Sequence, residues 1–414
     1  MKQWITTLSF LLGILVVHFV ELPWIVYIPV AVVGFILFLL QHWHKANPWI
    51  MFVWNVCMFG AMYGSIRMQM HVYAADDEEP SPVERLSGNA RDYSRTCLMK
   101  CGIAEEDVAV LNAMLLGNRK DLTKEQKLQF RNAGAQHLLA LSGLHLGIFI
   151  GALSFLFLKR ARFTRWRWFV LTGCLSLLWG YCFLAGMPQS LLRAMLMTTL
   201  FYFSLFRTHE SRGSLNLINT LLLMLIIDPF CVFDIGTQLS FSAVGAIVWL
   251  YPILERIIPC QIFPSNRLGK LMRRVWQLFM VSVTAWLGTM PLCLYYFHQF
   301  QPWQPLCSVI LVPLTSLLLY LALLLMILCV LGLWFVAIPF AKVVALSMQA
   351  EYGVLDFAGE LPGSTLHCPH IHLGHICLLY LLFFIMGVSI QAPKKVQYVG
   401  GLALLFVLVL LFLV

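Results

Sequence analysis

Residues 306–331 read LCSVILVPLTSLLLYLALLLMILCVL and contain no charged side chain. A helix that crosses the hydrocarbon core of a bilayer needs about 20 mainly apolar residues. This stretch is therefore long enough to span a membrane as one helix, and it is too apolar for the surface of a water-soluble domain.

The rest of the chain has the same character. Of 414 residues, 60% are hydrophobic and 11% are charged, whereas a soluble domain carries about 25% charged residues. Backbone polar groups in lipid must be paired internally, which favours helices. The composition predicts an all-α polytopic membrane bundle of about 11–13 spans. The candidate spans are 5–20, 23–41, 49–68, 136–158, 167–185, 190–206, 213–229, 235–253, 276–297, 306–331, 333–355, 374–391 and 398–414.

About sixteen of the 28 Lys and Arg residues fall in loops that can all be assigned to one side of the membrane. The formal net charge is +9, and the short loops ELP, GMPQS, DPFCVFD, HQFQPWQP and LPGSTLHCPHIHLG contain no Lys or Arg. By the positive-inside rule the basic side is cytoplasmic. We interpret the basic loops as topology signals in an inner-membrane, multi-pass protein. The 333–355 element contains Pro339 and Lys342, and the proline is expected to interrupt it as a re-entrant or interfacial helix.

One polar insertion, at about 70–135, interrupts the hydrophobic pattern on the predicted periplasmic side. It begins with the acidic linker AADDEEPSP and continues with helical signals. Thr123 can cap a helix with Gln126 three residues on, and Gly134 can end it. The preceding segment is predicted to be amphipathic, because three apolar residues share one helical face: Val108, Leu111 and Leu115. These helices either lie in the membrane interface or at a pore mouth, or form a lid packed on their own bundle.

A long motif follows the insertion. The stretch LLGNRKDLTKEQKLQFRNAGAQHLLALSGLHLGIFIGAL covers residues 115–153. It closely resembles the signature of the ComEC competence family, in which a helix ending in Ala-Gly leads through His to Ser-Gly-Leu-His and a further Gly. Three later stretches match in order: LLRAMLM (191–197), IDPFCVFDIGTQLSFSAVGAI (227–247) and GTMPLCLYYFHQFQP (288–302).

The resemblance implies a membrane channel that imports single-stranded DNA during natural transformation. It also implies a cytoplasmic ATPase motor and periplasmic DNA-binding competence proteins as partners. The sequence leaves the oligomeric state open. Full-length relatives commonly carry an oligonucleotide-binding-like domain and a metallo-β-lactamase-like domain. The printed sequence has neither pattern and contains no HxHxDH motif, so we expect a shortened member, not an enzyme, without a metal or cofactor.

The resemblance and the spans together predict four regions. An N-terminal transmembrane hairpin region covers 1–69 and the insertion covers 70–135. A competence-type transmembrane channel domain covers 136–392, and a C-terminal transmembrane helix covers 393–414.

Polar residues inside the apolar runs are the candidate DNA path. His137 and His145 lie eight residues apart with Ser142 between them, about 80° apart around a helix. Because unsatisfied polar groups in hydrocarbon are costly, they face water or the bundle interior. These three side chains either line a pore or hydrogen-bond neighbouring helices. A third alternative is a Ser-His nucleophile pair, but the sequence shows no evident acid to orient the histidine. We predict a path lined by His137, Ser142, His145, Arg193, Gln238 and Ser240.

Arg193 is the cation that best fits such a path. An ionisable residue within a span is a functional candidate by default, and a guanidinium holds phosphate in a bidentate fork. The structural alternative is an ion pair with Asp228 or Asp234, which are predicted on the same side of the membrane.

Glycines, cysteines and aromatic residues give further candidates. A stripe of small residues predicts close helix packing, or sliding during gating: Gly143, Gly147 and Gly151. Cys97 and Cys101 lie one helical turn apart and form a candidate disulfide. An aromatic cluster either stacks on bases or forms an interfacial belt: Tyr295, Tyr296, Phe297, Phe300 and Trp303. Four histidines in a loop fit no standard zinc spacing: His367, His370, His372 and His375.

Overall fold

The computed structural model describes residues 2–20, 60–61, 63–64, 82–139, 141, 143–153, 164–208, 213–257, 263–264, 266–367 and 372–391. These residues are almost entirely helical, which confirms the predicted all-α membrane bundle. The only strands among them are two short segments that pair antiparallel, with Gln299 opposite His367. The predicted spans 23–41 and 398–414 and most of 49–68 lie outside the described residues.

Thirteen helices are numbered here along the described chain. They are α1 (Lys2–Val20), α2 (Pro82–Lys100), α3 (Glu105–Leu116), α4 (Lys124–Asn132), α5 (Gly143–Leu153), α6 (Thr164–Leu184), α7 (Gln189–Thr208), α8 (Gly213–Ile227), α9 (Ile235–Ile257), α10 (Arg267–Phe297), α11 (Gln304–Val330), α12 (Trp334–Glu360) and α13 (Leu373–Gln391). Short 3₁₀ turns cover Gln136–Leu138 and Pro229–Phe233, and the strands are β1 (Gln299–Phe300) and β2 (Leu366–His367).

Three of the described helices are long and apolar enough to cross a bilayer. They are Ile235–Arg256 within α9, Arg267–Phe297 and Gln304–Val330. Shorter apolar helices occur at Val170–Leu184, Gly213–Ile227 and Gly374–Phe383. Together with the hydropathy of the whole chain, these helices make the protein a membrane protein.

The chain divides into two compact units. The first comprises Met1–Pro82 and Met195–Gln238, and the second comprises Val83–Ala194 and Leu239–Val414. In the first unit α1 packs against α8, and the Tyr63 hydroxyl donates a hydrogen bond to the Ile226 carbonyl. The second unit contains residues 83–135 of the insertion, α5, α6, the start of α7, and the helices α9 to α13 apart from the first turn of α9.

Helices α11 and α12 form an antiparallel hairpin with a regular seam. Seven of the ten buried positions of α11 alternate at spacings of three and four residues: Ser308, Leu311, Thr315, Leu318, Ala322, Leu325 and Cys329. Seven of the eight buried positions of α12 do the same: Ala337, Ala341, Val344, Met348, Glu351, Leu355 and Ala358. This is the heptad pattern of two helices that pack knobs into holes. A bond from Thr315 Oγ1 to Glu351 Oε1, 2.8 Å long, fixes the register.

Pro339 does not interrupt α12. The helix runs continuously from Trp334 to Glu360 with Pro339 inside it, so the predicted break is wrong. A proline removes one backbone donor, but this one lies near the start of a 27-residue helix, and the seam with α11 continues past it.

The polar insertion is helical, as predicted. Thr123 accepts a hydrogen bond from the Gln126 backbone N–H, and the Gln126 side chain accepts one from the Thr123 N–H, which confirms the capping box. Gly134 follows the end of α4 with a φ of 69°, in the left-handed region that favours glycine. Helices α3 and α4 pack against α11 and α12, so the insertion covers its own bundle.

Helix α3 is not amphipathic, and that prediction is wrong. Every residue from Val108 to Leu115 is buried, including Asn112. Other elements contact it from several directions: the Gln126 side chain donates to the Glu106 carbonyl, and the Tyr181 hydroxyl of α6 donates to the Leu115 carbonyl. The acidic residues are instead confined to its first turn, where the helix dipole favours negative charge.

Helices α9, α10 and α13 meet closely at Gly288. A Cβ atom built on Gly288 would lie 2.4 Å from the Ala246 Cβ and 2.7 Å from the Ser242 carbonyl oxygen of α9. The Tyr380 hydroxyl of α13 donates to the Gly288 carbonyl over 2.9 Å. Only a glycine allows two backbones to approach this closely, so the residue fixes where the three helices cross.

Candidate functional site

Two of the predicted path residues are deeply buried in the second unit. His145 on α5 is 0% exposed, and Arg193 near the start of α7 is 4% exposed. His137, in the 3₁₀ turn before α5, has an exposed side chain and lies close enough to His145 to interact with it electrostatically. Ser142 lies outside the described residues.

The starts of α5 and α7 lie side by side. A Cβ atom on Gly143 would be 3.6 Å from the Cβ of Ala194, which follows Arg193 directly. The two helices that carry His145 and Arg193 therefore begin next to each other. Sequence alone places these residues in different predicted spans, and only the packing brings their helices together.

The insertion is anchored around the same region. Arg91 of α2 donates to the Ala185 carbonyl in the turn before α7, over 3.3 Å. Arg119 donates to the Leu139 carbonyl just after the His137 turn, also over 3.3 Å. Gly117 has a φ of 74°, and a Cβ there would lie 3.0 Å from the Leu141 side chain. The insertion thus contacts the segments that lead into both α5 and α7.

This arrangement is closed. The side chains of His145 and Arg193 do not face open solvent within the described part of the chain. A buried guanidinium and imidazole are costly unless they are compensated, and both residues take part in polar or electrostatic interactions. Any conduction along these residues requires a movement that opens their surroundings.

Gln238 has a local structural contact. Its side-chain amide donates to the Val232 carbonyl over 2.9 Å, so it fastens the 3₁₀ turn to the first turn of α9. Asp234 caps the same helix, since its Oδ2 accepts from the Thr237 N–H at 2.7 Å and from the Thr237 hydroxyl at 3.0 Å. Ser240 is half-buried in α9. The roles of Gln238 and Ser240 in a DNA path stay predictions.

The glycine stripe of α5 is open where it is described. A Cβ on Gly147 would meet no atom within 4 Å, and nothing is described around Gly151. Only Gly143 has a helix neighbour, at Ala194. The packing role predicted for Gly143, Gly147 and Gly151 therefore stays a prediction.

The cysteines of the insertion lie beside a third thiol. Cys97 and Cys101 are buried free thiols, and the Sγ of Cys101 lies 3.6 Å from the Sγ of Cys329 on α11. The predicted pairing of Cys97 with Cys101 stays a prediction. In the described part of the chain no group of three or more His, Cys, Asp or Glu side chains could hold a metal ion. His370 and Cys368 lie outside that part.

A small pocket opens between α10, β1 and the start of α11. Its cavity volume is about 10 Å³, and it combines aromatic rings with three side-chain amides. Its lining is Trp286, Thr289, Met290, Cys293, Gln299, Phe300, Gln301 and Gln304. The Trp286 and Phe300 ring centroids lie 5.2 Å apart. Sequence reasoning named Phe300 but missed Trp286 and the glutamines. The repeated Gln in HQFQPWQP was the available signal.

The interface between the insertion and α12 carries two hydrogen-bonded acid groups, the half-buried Asp107 and the exposed Asp356. The Tyr352 hydroxyl donates to Asp107 Oδ1 over 3.1 Å. Burial raises the pKa of Asp107, the Tyr352 bond opposes that shift, and the neighbouring charge of Glu106 adds to it. Gln129 of α4 donates to Asp356 Oδ1 over 2.5 Å. Sequence reasoning did not single out these contacts, because their partners are more than 200 residues apart.

A family model described as "Competence protein" matches residues 114–393. The chain belongs to the Competence protein family. The match begins inside α3 and ends just after α13, so it includes His137, His145, Arg193 and the α11–α12 hairpin. It confirms the resemblance drawn from the motifs.

Curated relatives agree with this assignment. The chain is 29% identical over 196 residues to ComE operon protein 3 of Bacillus subtilis (strain 168), which covers 47% of this chain and 23% of that protein. It is 29% identical over 159 residues to Competence protein ComA of Neisseria gonorrhoeae, and the match covers 36% of this chain and 22% of that protein. It is 26% identical over 212 residues to Uncharacterized protein YcaI of Escherichia coli (strain K12), and the match covers 50% of this chain and 27% of that protein.

The matched part spans about a quarter of the length of these relatives. No solved structure matches this chain significantly.

Proposed function

We propose that this chain forms a channel in the bacterial inner membrane that imports single-stranded DNA during natural transformation. The observation that carries the proposal is the membership of residues 114–393 in the Competence protein family. The buried Arg193, near the start of α7 and beside the start of α5, supports a polyanion as the substrate, because one fixed guanidinium attracts phosphate strongly in a low-dielectric setting.

The closed arrangement implies gating. His145 and Arg193 are sealed from solvent, and the insertion contacts the segments leading into α5 and α7. Movement of the insertion away from these segments would expose both residues to water. We propose that DNA, or a periplasmic DNA-binding competence protein that delivers it, opens the path in this way.

The channel does not drive import by itself. Moving one negative charge into a negative interior costs about 2.3 kcal/mol per 100 mV, and this cost recurs for each phosphate. The sequence contains no GxxxxGK[ST] phosphate loop. We therefore propose that a cytoplasmic ATPase motor pulls the strand and that the chain performs no catalytic step.

The decisive experiment compares the two cations of the predicted spans. In a strain whose genomic copy carries Arg193→Ala, we expect transformation efficiency to fall at least about tenfold at an unchanged membrane protein level, the equivalent of about 1.4 kcal/mol. Arg193→Lys should retain part of the activity. Lys342→Ala, at an exposed position of α12, is the matched control and should transform normally. Equal efficiencies for Arg193→Ala and Lys342→Ala would remove Arg193 from the path.

A deletion strain tests the substrate itself. Fluorescently labelled DNA should accumulate outside the inner membrane of the deletion strain and should enter once the gene is restored. Normal internalisation by the deletion strain would remove DNA import. It would leave a family member that moves another substrate or acts as a scaffold. Hydrolase activity of the purified chain that disappears with His145→Ala would indicate an intramembrane enzyme instead.

A further inference from the structure

Helix α12 buries one carboxyl group in its seam with α11. Glu351 is 2% exposed and occupies a seam position between Met348 and Leu355. The register fixed by its bond to Thr315 places Leu311 opposite Leu355 and Leu318 opposite Met348. The carboxyl group therefore lies between two apolar layers.

Only one oxygen of this carboxyl group is satisfied. Oε1 accepts the 2.8 Å bond from the Thr315 hydroxyl, whereas Oε2 is buried and has no hydrogen-bond partner among the described residues. A buried carboxylate without a counter-charge is costly, and such groups are usually neutralised by a proton. A protonated Oε2 removes the charge, and Oε1 keeps its bond to Thr315.

Glu351 has no ion pair among the described residues, although α4, which packs against α12, carries the exposed cations Lys124, Lys127 and Arg131. Helix α11 carries no charged residue. The insertion also contributes Asp107 of α3, which accepts a hydrogen bond from the adjacent Tyr352. On α12 itself, Asp356 is exposed and accepts a hydrogen bond from Gln129 of α4, and Lys342 is exposed and lies about 13 Å along the axis. None of these groups supplies a counter-charge to the buried Oε2 of Glu351.

We propose that Glu351 is a proton-binding site whose occupancy holds the α11–α12 hairpin closed. The protonated carboxyl fits between the apolar layers, since it carries no charge and bonds Thr315. Loss of the proton leaves a carboxylate in the seam, and the hairpin then opens there to admit water. The ligand is a proton, and the proposal does not depend on the substrate that the chain transports.

A polar residue at one seam position also accounts for the register. In helical seams, a single buried polar group selects one alignment at some cost in stability. A shift of α12 by one heptad would bring Glu351 opposite Ala322, which has no polar group, or Ser308, whose hydroxyl already donates to the Gln304 carbonyl. The same carboxyl group therefore specifies the alignment and senses the proton.

Infrared titration of the purified full chain in lipid nanodiscs tests the site. We expect a C=O stretching band of a protonated carboxylic acid at neutral pH that disappears as the pH is raised. Glu351→Gln, which keeps the shape and is always neutral, should remove this band. Glu360→Gln, at an exposed position of the same helix, should leave it unchanged. Because Asp107 also has a raised pKa, the test is the difference between wild type and Glu351→Gln: identical carboxylic acid bands in the two proteins would overturn the proposal.

Two further measurements guard against a misfolded variant. Thr315→Val removes the donor to the carboxyl group, and because that bond favours the ionised form, the band should persist to higher pH.

Thermal stability gives the second test. A carboxyl group that keeps its proton in the folded state stabilises at low pH, and this stabilisation is lost as the pH rises through its titration. Relative to wild type, the melting temperature of Glu351→Gln should therefore rise with pH from about 4.3, where the unfolded Glu titrates, until the folded carboxyl group ionises, and the difference should stay constant above that pH. A pH-independent difference, or an unshifted band in Thr315→Val, would contradict the proposal.

Discussion

Replacing Gly288 by alanine tests the helix crossing that holds α9 against α10. The added Cβ would lie 2.4 Å from the Ala246 Cβ and 2.7 Å from the Ser242 carbonyl oxygen. Carbon atoms in ordinary contact are about 3.5–4.0 Å apart, so the two helices must separate by roughly 1 Å. The obstacle includes backbone, which cannot rotate away as a side chain can.

The expected loss of stability follows from three contributions. Overpacking costs about 1–3 kcal/mol. Weakening of the Tyr380 hydrogen bond to the Gly288 carbonyl adds about 1 kcal/mol to the loss of stability. The higher helix propensity of alanine offsets about 1 kcal/mol of that loss. The net destabilisation is about 1–3 kcal/mol. It should lower Tm by roughly 2–10 °C, scaled from domains of about 150–250 residues.

Thermal denaturation of the detergent-solubilised chain, followed by size-exclusion fluorescence, measures this shift. Gly147→Ala is the matched control, because a Cβ there meets nothing within 4 Å. It should match or exceed the Tm of wild type. If Gly288→Ala melts at or above the temperature of Gly147→Ala, the close crossing does not exist as described.

Two helix caps give further predictions. Thr123→Ala breaks the capping box of α4 and should cost about 1 kcal/mol of helix stability, which should appear as roughly fivefold faster amide hydrogen exchange in the first turn of α4. The control Lys127→Ala, at an exposed position, should leave the exchange rates unchanged. Equal exchange rates in the two variants would contradict the cap. Asp234→Ala removes the acceptor for the Thr237 N–H and hydroxyl and should speed exchange at the start of α9 by a similar factor, whereas Asp234→Asn keeps most of the protection. Unchanged exchange in Asp234→Ala would refute its capping role.

The parts predicted correctly from sequence depend on neighbours close in the chain. The α4 capping box involves residues three apart, and the turn at Gly134 depends on its own backbone. The long apolar run at 306–331 is enough to indicate α11. In each case the physical cause, a hydrogen bond within one turn or the cost of exposed apolar surface, acts within a single segment.

The wrong predictions involve neighbours distant in the chain. Helix α3 looked amphipathic because Val108, Leu111 and Leu115 share a face, yet partners from other elements bury its remaining sides. Pro339 was expected to break a helix, but the seam with α11 favours a continuous α12. The sequence did not single out Glu351, because only the tertiary structure shows that this residue is buried opposite Thr315.

The amino-acid sequence by itself determined that this protein lies in a membrane and which family it belongs to. Apolar length requires lipid around the helices, and the spacing of His, Ser and Gly in residues 115–153 carries the competence signature. Tertiary structure decided which polar groups meet: the helix starts that carry His145 and Arg193, the acid groups along α12, and the glycine crossing at Gly288. These depend on the positions of helices far apart in the chain, and packing, unlike hydropathy, is a property of pairs of surfaces.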